Sequence, residues 1–177
     1  MRAGDLGGFV EGEHNLSQEQ EDASWIFGDA IAAGSASVDK DSCLRDEAVA
    51  CDQAYVTQRS TLSGHARAED AAYIRGAALS ESARAAGTAM LLDAKDKGKF
   101  PKLSGQSVVY GTVAGAVVVT GTAVILWEEK IRNNTQDALI LDGLSRSIIP
   151  GPSRDELKPC RSAEKREKQP KNKGMDR

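Results

Sequence analysis

The sequence is poor in several residue types that would point to a particular class of protein. Only 5% of its 177 residues are aromatic, and it contains two histidines, three cysteines and five prolines. No run of 18 apolar residues occurs, which excludes a membrane-spanning helix. The first sixteen residues lack a basic segment followed by a long apolar one, so no secretory signal is predicted. The odd, sparse set of cysteines indicates reduced thiols and predicts a cytoplasmic protein (Cys43, Cys51, Cys160).

The same scarcity argues against several kinds of reaction site. Zinc held by three histidines is excluded, because only His14 and His65 are present. No CxxC pair occurs, and no GxxxxGK[ST] phosphate-binding loop is found. We therefore predict no catalytic residue, no metal and no cofactor, and the sequence favours a protein that is not an enzyme without deciding the matter.

Charge is unevenly distributed along the chain. The formal net charge is −3, but residues 158–177 contain eight basic and three acidic side chains. This segment therefore carries +5, and the remaining 157 residues carry −8. Basic tail residues predict weak, salt-dependent and nonspecific contact with nucleic acid, and a solubilising role is equally consistent with them (Lys165, Arg166, Lys168, Lys171, Lys173).

An internal repeat of six residues fixes the fold class. From Ser24 to Ala72, every sixth residue is Ala or Ser, and two residues after each one lies an apolar residue. The register slips by one residue after Ile74 and then resumes, giving twelve units from Ser24 to Ala94. Period six matches no face of an α-helix, so a helical interpretation fails.

Each unit reads as a short strand followed by a corner. The small and the aliphatic residue are two apart, so on a strand both point to the same, inner side. Glycine and aspartate, which tolerate positive φ, dominate the corner column (Gly28, Gly34, Lys40, Asp46, Asp52, Gln58, Gly64, Asp70, Gly76). Three strands and three corners per 18 residues predict a triangular, single-stranded parallel β-helix, an all-β solenoid.

The 18-residue period also predicts what each side of the triangle contributes to the core. We call the three sides the first, second and third wall. Inward residues of the first wall are Ile26, Leu44, Leu62 and Leu79, those of the second Ala32, Ala50, Ala68 and Ala85, and those of the third Val38, Val56, Ile74 and Leu91. A wall of alanine lets the larger residues of the other two walls meet across a narrow interior.

These residues resemble a known family. The spacing is close to that of the hexapeptide-repeat left-handed parallel β-helix proteins, and GDLGGFVEGEHNLSQ followed by SWIFGDA looks like the start of YdcK-like proteins of bacterial and phage genomes. The V-Y-G-N-A-x repeat of that family is echoed by Ile26-Phe27-Gly28-Asp29-Ala30. The resemblance covers residues 4–150 and implies a left-handed coil, which spacing alone does not show. It implies little about function, because the family is largely uncharacterised.

Five segments follow from the pattern. We predict an N-terminal cap over residues 1–23, four coils over 24–94, an excursion loop over 95–106, further coils and a closing hairpin over 107–152, and a disordered basic tail over 153–177. One or two coils are expected in the fourth segment, whose register the pattern does not assign. Leu139-Ile-Leu-Asp-Gly-Leu is predicted to enter an Asp-Gly turn, with Ser147-Ile-Ile as the partner strand.

A regular prism offers surfaces rather than a reaction site. The candidate interaction face is the outward ladder of the third wall, formed by Ser37, Tyr55, Tyr73 and Met90. Packing of aromatic side chains on successive coils explains the same ladder without a partner. We therefore expect a non-catalytic scaffold that binds a protein partner or self-associates, with no membrane contact. The acidic body and the phage association of the resembling family also suggest a nucleic-acid mimic or an anti-defence role.

The alternative is an acyltransferase of the hexapeptide-repeat type. His65 follows the corner glycine Gly64, where it would serve as a general base at a subunit interface. A solvated corner histidine explains the same position without any reaction.

Overall fold

The structure, a computed structural model, describes residues 7–94 and 98–151. Its strands form three walls. The first wall contains β2 (Trp25–Ile26), β5 (Cys43–Leu44), β8 (Thr61–Leu62), β11 (Ala78–Leu79), β14 (Lys102–Leu103), β17 (Val117–Thr120), β20 (Ala138–Asp142) and β21 (Ser145–Ile149). The second contains β1 (Phe9–Val10), β3 (Ile31–Ala32), β6 (Val49–Ala50), β9 (Arg67–Ala68), β12 (Arg84–Ala85), β15 (Val108–Val109) and β18 (Val124–Ile125). The third contains β4 (Ser37–Val38), β7 (Tyr55–Thr57), β10 (Tyr73–Arg75), β13 (Met90–Leu92), β16 (Thr112–Gly115) and β19 (Lys130–Asn133).

Successive strands lie on successive walls, and each pairs in parallel with the strand one coil further along. The only antiparallel strand pair among the described residues is β20 with β21. This architecture is the predicted all-β, parallel β-solenoid, with about seven turns whose equivalent positions are about 18 residues apart. Within the described ranges, no helix is long and apolar enough to cross a membrane.

The predicted inward columns form the core. Leu44 stacks on Leu62, Ala50 on Ala68 and Val56 on Ile74 through the parallel register, and all six side chains are buried. The four predicted alanines of the second wall have no exposed surface. All nine residues of the predicted corner column have φ between +51° and +65°, which confirms that these positions turn the chain.

The coil resumes earlier than predicted after the excursion. Lys102–Leu103 form β14, which pairs with Ala78–Leu79, so residues 102–106 belong to a coil and not to a loop. Pro101 is buried at the position that Ala77 holds one coil earlier, and its carbonyl accepts a hydrogen bond from the Ala78 N–H at 3.0 Å. Pro101 and the charged residues before it interrupt the Ala/Ser pattern, so this register could not be recognised in the sequence. Residues 95–97 lie outside the described ranges.

Two further coils follow, and the chain then enters the predicted hairpin. Ala138 to Asp142 pair with Ile149 to Ser145, and Gly143 in the turn has a φ of +56°. All five residues of β21 are exposed.

The predicted N-terminal cap contains a first piece of solenoid. Phe9–Val10 already pair with Ile31–Ala32 on the second wall, and Leu16 bridges to Val38 on the third. Between them, a 3-10 turn (Glu13–Asn15) positions the buried Asn15, whose side-chain amide donates to the carbonyls of Gly34 and Ala36 at 3.0 and 2.7 Å. Residues 1–6 and the predicted tail, 153–177, lie outside the described residues.

Candidate interaction surface

The predicted ladder of the third wall is stacked in register. Ser37, Tyr55, Tyr73 and Met90 lie one above another, and the rings of Tyr55 and Tyr73 are 5.6 Å apart between centroids. The Tyr55 hydroxyl donates a hydrogen bond to the Asp39 carboxylate, which together with burial raises the pKa of Tyr55. Its phenol therefore already has a partner within the chain. The use of this ladder as an interaction face stays a prediction.

The second wall presents a longer outward column. The parallel register stacks one residue from each of its seven strands: Phe9, Ile31, Val49, Arg67, Arg84, Val108 and Val124. Phe9 is 62% exposed, Ile31 39% and Val124 50%. Apolar side chains thus occupy both ends of the column, and two arginines occupy its middle.

A second column runs beside the first. On each coil, the residue two positions after the first-column residue also joins the backbone hydrogen bonds between coils. The Cys51 N–H, for example, donates to the Ala68 carbonyl at 2.9 Å. Residues two apart on a strand face the same side, so this column is also outward: Glu11, Ala33, Cys51, Glu69, Ala86, Tyr110 and Leu126. Among them, Ala86 is buried. We call the outward side of the second wall, made of these two columns, the second-wall face.

An ion-pair cluster holds the middle of the second-wall face. One Glu69 carboxylate oxygen accepts from Arg67 at 3.1 Å and the other from Arg84 at 2.5 Å. The Glu69 side chain is only 14% exposed, whereas the two arginines are about half exposed. The hydrogen bond to Glu69 raises the pKa of Arg84. This pairing fixes both guanidinium groups against the face.

Aromatic side chains lie at the C-terminal end of this surface. The Tyr110 and Trp127 rings are 5.3 Å apart between centroids with an interplanar angle of 33°, and Trp127 is 65% exposed. Leu126 is 51% exposed. The face is therefore bulky at this end.

His65 lies at the edge of the second-wall face. Its Nδ1 is 3.0 Å from a Glu47 carboxylate oxygen, and both side chains are about two-thirds exposed. Glu47 therefore orients the ring and leaves Nε2 directed away from the pair.

Cys51 and the acidic residues offer little further chemistry. Burial and the neighbouring Asp52 raise the pKa of Cys51 to about 11, so its thiol is a poor nucleophile near neutral pH. Among residues 7–94 and 98–151, no group of three His, Cys, Asp or Glu side chains is arranged to hold a metal ion.

Sequence reasoning found only part of the second-wall face. Ile31, Val49, Arg67 and Arg84 were visible as outward residues, but Phe9 lies in the predicted cap, and Val108 and Val124 lie beyond the excursion. The missing signal was the register across residues 95–101: once Leu103 is aligned with Leu79, Val108 and Val124 fall into the same column. The tail residues from Lys165 to Lys173 lie outside the described ranges.

This chain matches no protein-family model, no curated protein and no solved structure. Its likeness to YdcK-like and hexapeptide-repeat proteins therefore stays a prediction.

Proposed function

We propose that this protein is a non-catalytic β-solenoid that serves as an interaction scaffold and self-associates through the second-wall face. The observation that carries the proposal is the outward column from Phe9 to Val124, which is apolar at both ends over the height of the wall. Exposed apolar side chains gathered on one face of a rigid sheet are typical of protein contact sites. The first column is ionic in its middle and apolar at its two ends, and a second copy offers the same pattern.

Sedimentation velocity of the full chain at about 1 to 100 µM tests the proposal, since a weak, reversible dimer dissociates within this concentration range. The wild type is expected to shift from monomer to dimer as concentration rises. Ile31→Glu combined with Val124→Glu is expected to stay monomeric, because each dimer would bury unpaired carboxylates. Both positions are exposed in the single chain, so the fold is expected to tolerate the change, which circular dichroism checks.

Two third-wall variants serve as controls. Met90→Glu changes an apolar side chain of similar exposure (41%) on another wall and is expected to leave the dimer intact. Tyr55→Ala with Tyr73→Ala tests the tyrosine ladder directly. A wild type that is monomeric throughout, or a dimer lost only in a third-wall variant, would contradict self-association through the second-wall face.

One observation favours the acyltransferase alternative. A histidine whose Nδ1 is held by a carboxylate can use Nε2 as a general base toward an acyl-accepting hydroxyl or amine, and Glu47 holds His65 in this way. Turnover of a panel of acyl-coenzyme A donors, lost in His65→Ala with an unchanged circular dichroism spectrum, would support it. Absence of both binding and turnover across the panel would end this alternative.

A further inference from the structure

The two halves of the second-wall face differ in side-chain size at four positions of its second column. In the second of its columns, the N-terminal half carries Ala33 on the coil of β3 and Cys51 on that of β6. The C-terminal half carries Tyr110 on the coil of β15 and Leu126 on that of β18. These four positions are symmetric about the midpoint between β9 and β12. A copy turned end for end would therefore set each large side chain opposite a small one.

Charge along the edge of the face follows the same symmetry. Two residues before the first column lie Asp29 and Glu47 in the N-terminal half and Gln106 and Thr122 in the C-terminal half. End-for-end packing sets each acid opposite a neutral polar side chain. If the two copies instead packed with equivalent coils at the same height, Tyr110 and Leu126 of both copies would meet at one end of the contact. This same-level packing would leave a gap at the other end, where Ala33 and Cys51 lie.

We propose that two copies of this chain pack face to face about a two-fold axis parallel to the strands, with β9 of one copy facing β12 of the other. This inference rests on the proposed function and specifies its geometry. Four contacts define it: Ile31 with Val124 of the other copy, Val49 with Val108, Ala33 with Leu126, and Cys51 with Tyr110. Small residues thus receive large ones, as close packing of an interface core requires.

The ionic cluster lies at the centre of this arrangement. Arg67 faces Arg84 of the other copy, and Glu69, which already binds both arginines of its own chain, lies diagonally across from that second Arg84. Arg84 therefore has a carboxylate within its own chain and another across the interface, whereas Arg67 has only the one within its own chain. Two arginines against one glutamate leave one uncompensated positive charge per copy, and this lowers the affinity.

The available area fits a reversible dimer. Six overlapping strands spaced about 4.8 Å apart span about 29 Å, and a six-residue side spans about 20 Å, which gives about 580 Å² per copy before side-chain relief. Specific interfaces begin at about 600 Å² per partner. An interface at this lower limit is typical of weak, transient association, so a reversible dimer is expected. Phe9 projects beyond the end of the other copy in this register.

Thiol cross-linking of full-length chains tests the register. In a background of Cys43→Ser, Cys51→Ser and Cys160→Ser, Ala33→Cys is mixed with Leu126→Cys and treated with a short bis-maleimide. Sheets packed face to face lie about 10 Å apart, beyond the reach of a direct disulfide, so a linker is needed. We expect a cross-linked dimer from this mixture. We expect none from Ala33→Cys alone, from Leu126→Cys alone, or from Ala33→Cys mixed with Asp29→Cys, the pair that same-level packing would join.

Sedimentation separates this inference from the proposed function. A concentration-dependent dimer that cross-links only through the Asp29 pair, or through neither pair, overturns the register and leaves self-association standing. A monomer at all concentrations overturns both. Phe9→Ser adds an independent test, because the most exposed residue of the column lies outside the overlap: its dimer is expected to keep the wild-type dissociation constant within about twofold, and a tenfold or larger loss overturns the register.

Discussion

The inward alanine side chains of the second wall determine the cross-section of the solenoid. Ala32, Ala50, Ala68 and Ala85 form one wall of the core and have no exposed surface. Leucine and isoleucine of the first wall and valine, isoleucine and leucine of the third wall fill the space that these small side chains leave. Because protein interiors are close-packed, the size of one column constrains the sizes of the other two.

Ala68→Leu is expected to lower the free energy of unfolding by about 1–3 kcal/mol or more, because three extra carbon atoms must enter a filled core. Urea unfolding followed by circular dichroism measures the change. Ala71→Leu is the matched control, since Ala71 is exposed at a corner of the same coil. Equal stability of the two variants would show that the interior has room for leucine, contrary to the burial of Ala68.

Asp22 is a residue that the sequence pattern did not single out. Its carboxylate accepts hydrogen bonds from the backbone N–H groups of Lys40 and Asp41, at 2.7 and 2.8 Å, and from the hydroxyl of Ser24 at 2.6 Å. Burial raises the pKa of this carboxyl, but these hydrogen bonds outweigh burial and hold the pKa well below its usual range. The ionised side chain thus links its own corner to the equivalent corner one coil further along the solenoid.

Asp22→Asn is expected to lower the free energy of unfolding at pH 7 by about 1–3 kcal/mol, the cost of losing hydrogen bonds to a charged group. A carboxyl with a lowered folded-state pKa stabilises the fold fully above its unfolded value near 3.9 and loses that contribution as pH falls toward the folded value. The difference between wild type and variant should therefore narrow progressively as pH falls from about 5 to about 2. Urea unfolding over this range, with the exposed Asp29→Asn as control, measures it. A difference that is constant with pH would exclude the ionised carboxylate as the cause.

The length of the corners determines which strands can be predicted from the six-residue spacing. From Ser24 to Ala94 almost every hexad obeys one rule, so the strands, inward columns and positive-φ corners followed from the spacing. Beyond residue 94 the corners change in length: 24 residues separate Ala78 from its partner Lys102, and 16 separate Lys102 from Val118. A fixed period cannot follow such changes, because a corner accepts extra residues without altering the strands on either side.

The candidate face was missed for the same reason. Tyr55 and Tyr73 belong to the regular region, so their ladder was visible in the sequence, whereas the second-wall face needs partners from both irregular ends. Exposure also cannot be read from the pattern. Tyr55 and Tyr73 are half-buried, and Val124 at the far end of the other column is 50% exposed.

Deleting residues 95–100 is expected to preserve the fold. The deletion joins Ala94 to Pro101 and restores the 18-residue spacing between Ala78 and Lys102. Pro101 already occupies the buried small position of that coil, so the cost should stay within about 2 kcal/mol, chiefly from forcing Asp93 and Ala94 into positive φ. Thermal unfolding measures stability. The same deletion with Asp93→Gly serves as the control, because glycine adopts positive φ without that cost. Loss of the cooperative transition in both would show that the excursion is needed for the coil to continue.

At the scale of the whole molecule, charge is graded along the solenoid. Residues 7–52 contain eleven acidic and two basic side chains, whereas residues 98–151 contain four acidic and five basic ones. In a stack of coils each coil contacts mainly its neighbours, so local repulsion lowers local stability. The free energy of local opening is therefore expected to be lower in the N-terminal coils than their packing alone would give.

Hydrogen exchange measured by mass spectrometry at low and high salt tests this gradient. Raising sodium chloride from about 0.01 M to about 1 M shortens the Debye length from about 30 Å to about 3 Å and screens the acidic coils from one another. Protection of residues 25–50 is expected to increase more than that of residues 102–125, which carry almost no net charge. The C-terminal coils act as the internal control for the general strengthening of apolar burial by salt. An equal rise at both ends would show that carboxylate repulsion does not limit the stability of the N-terminal coils.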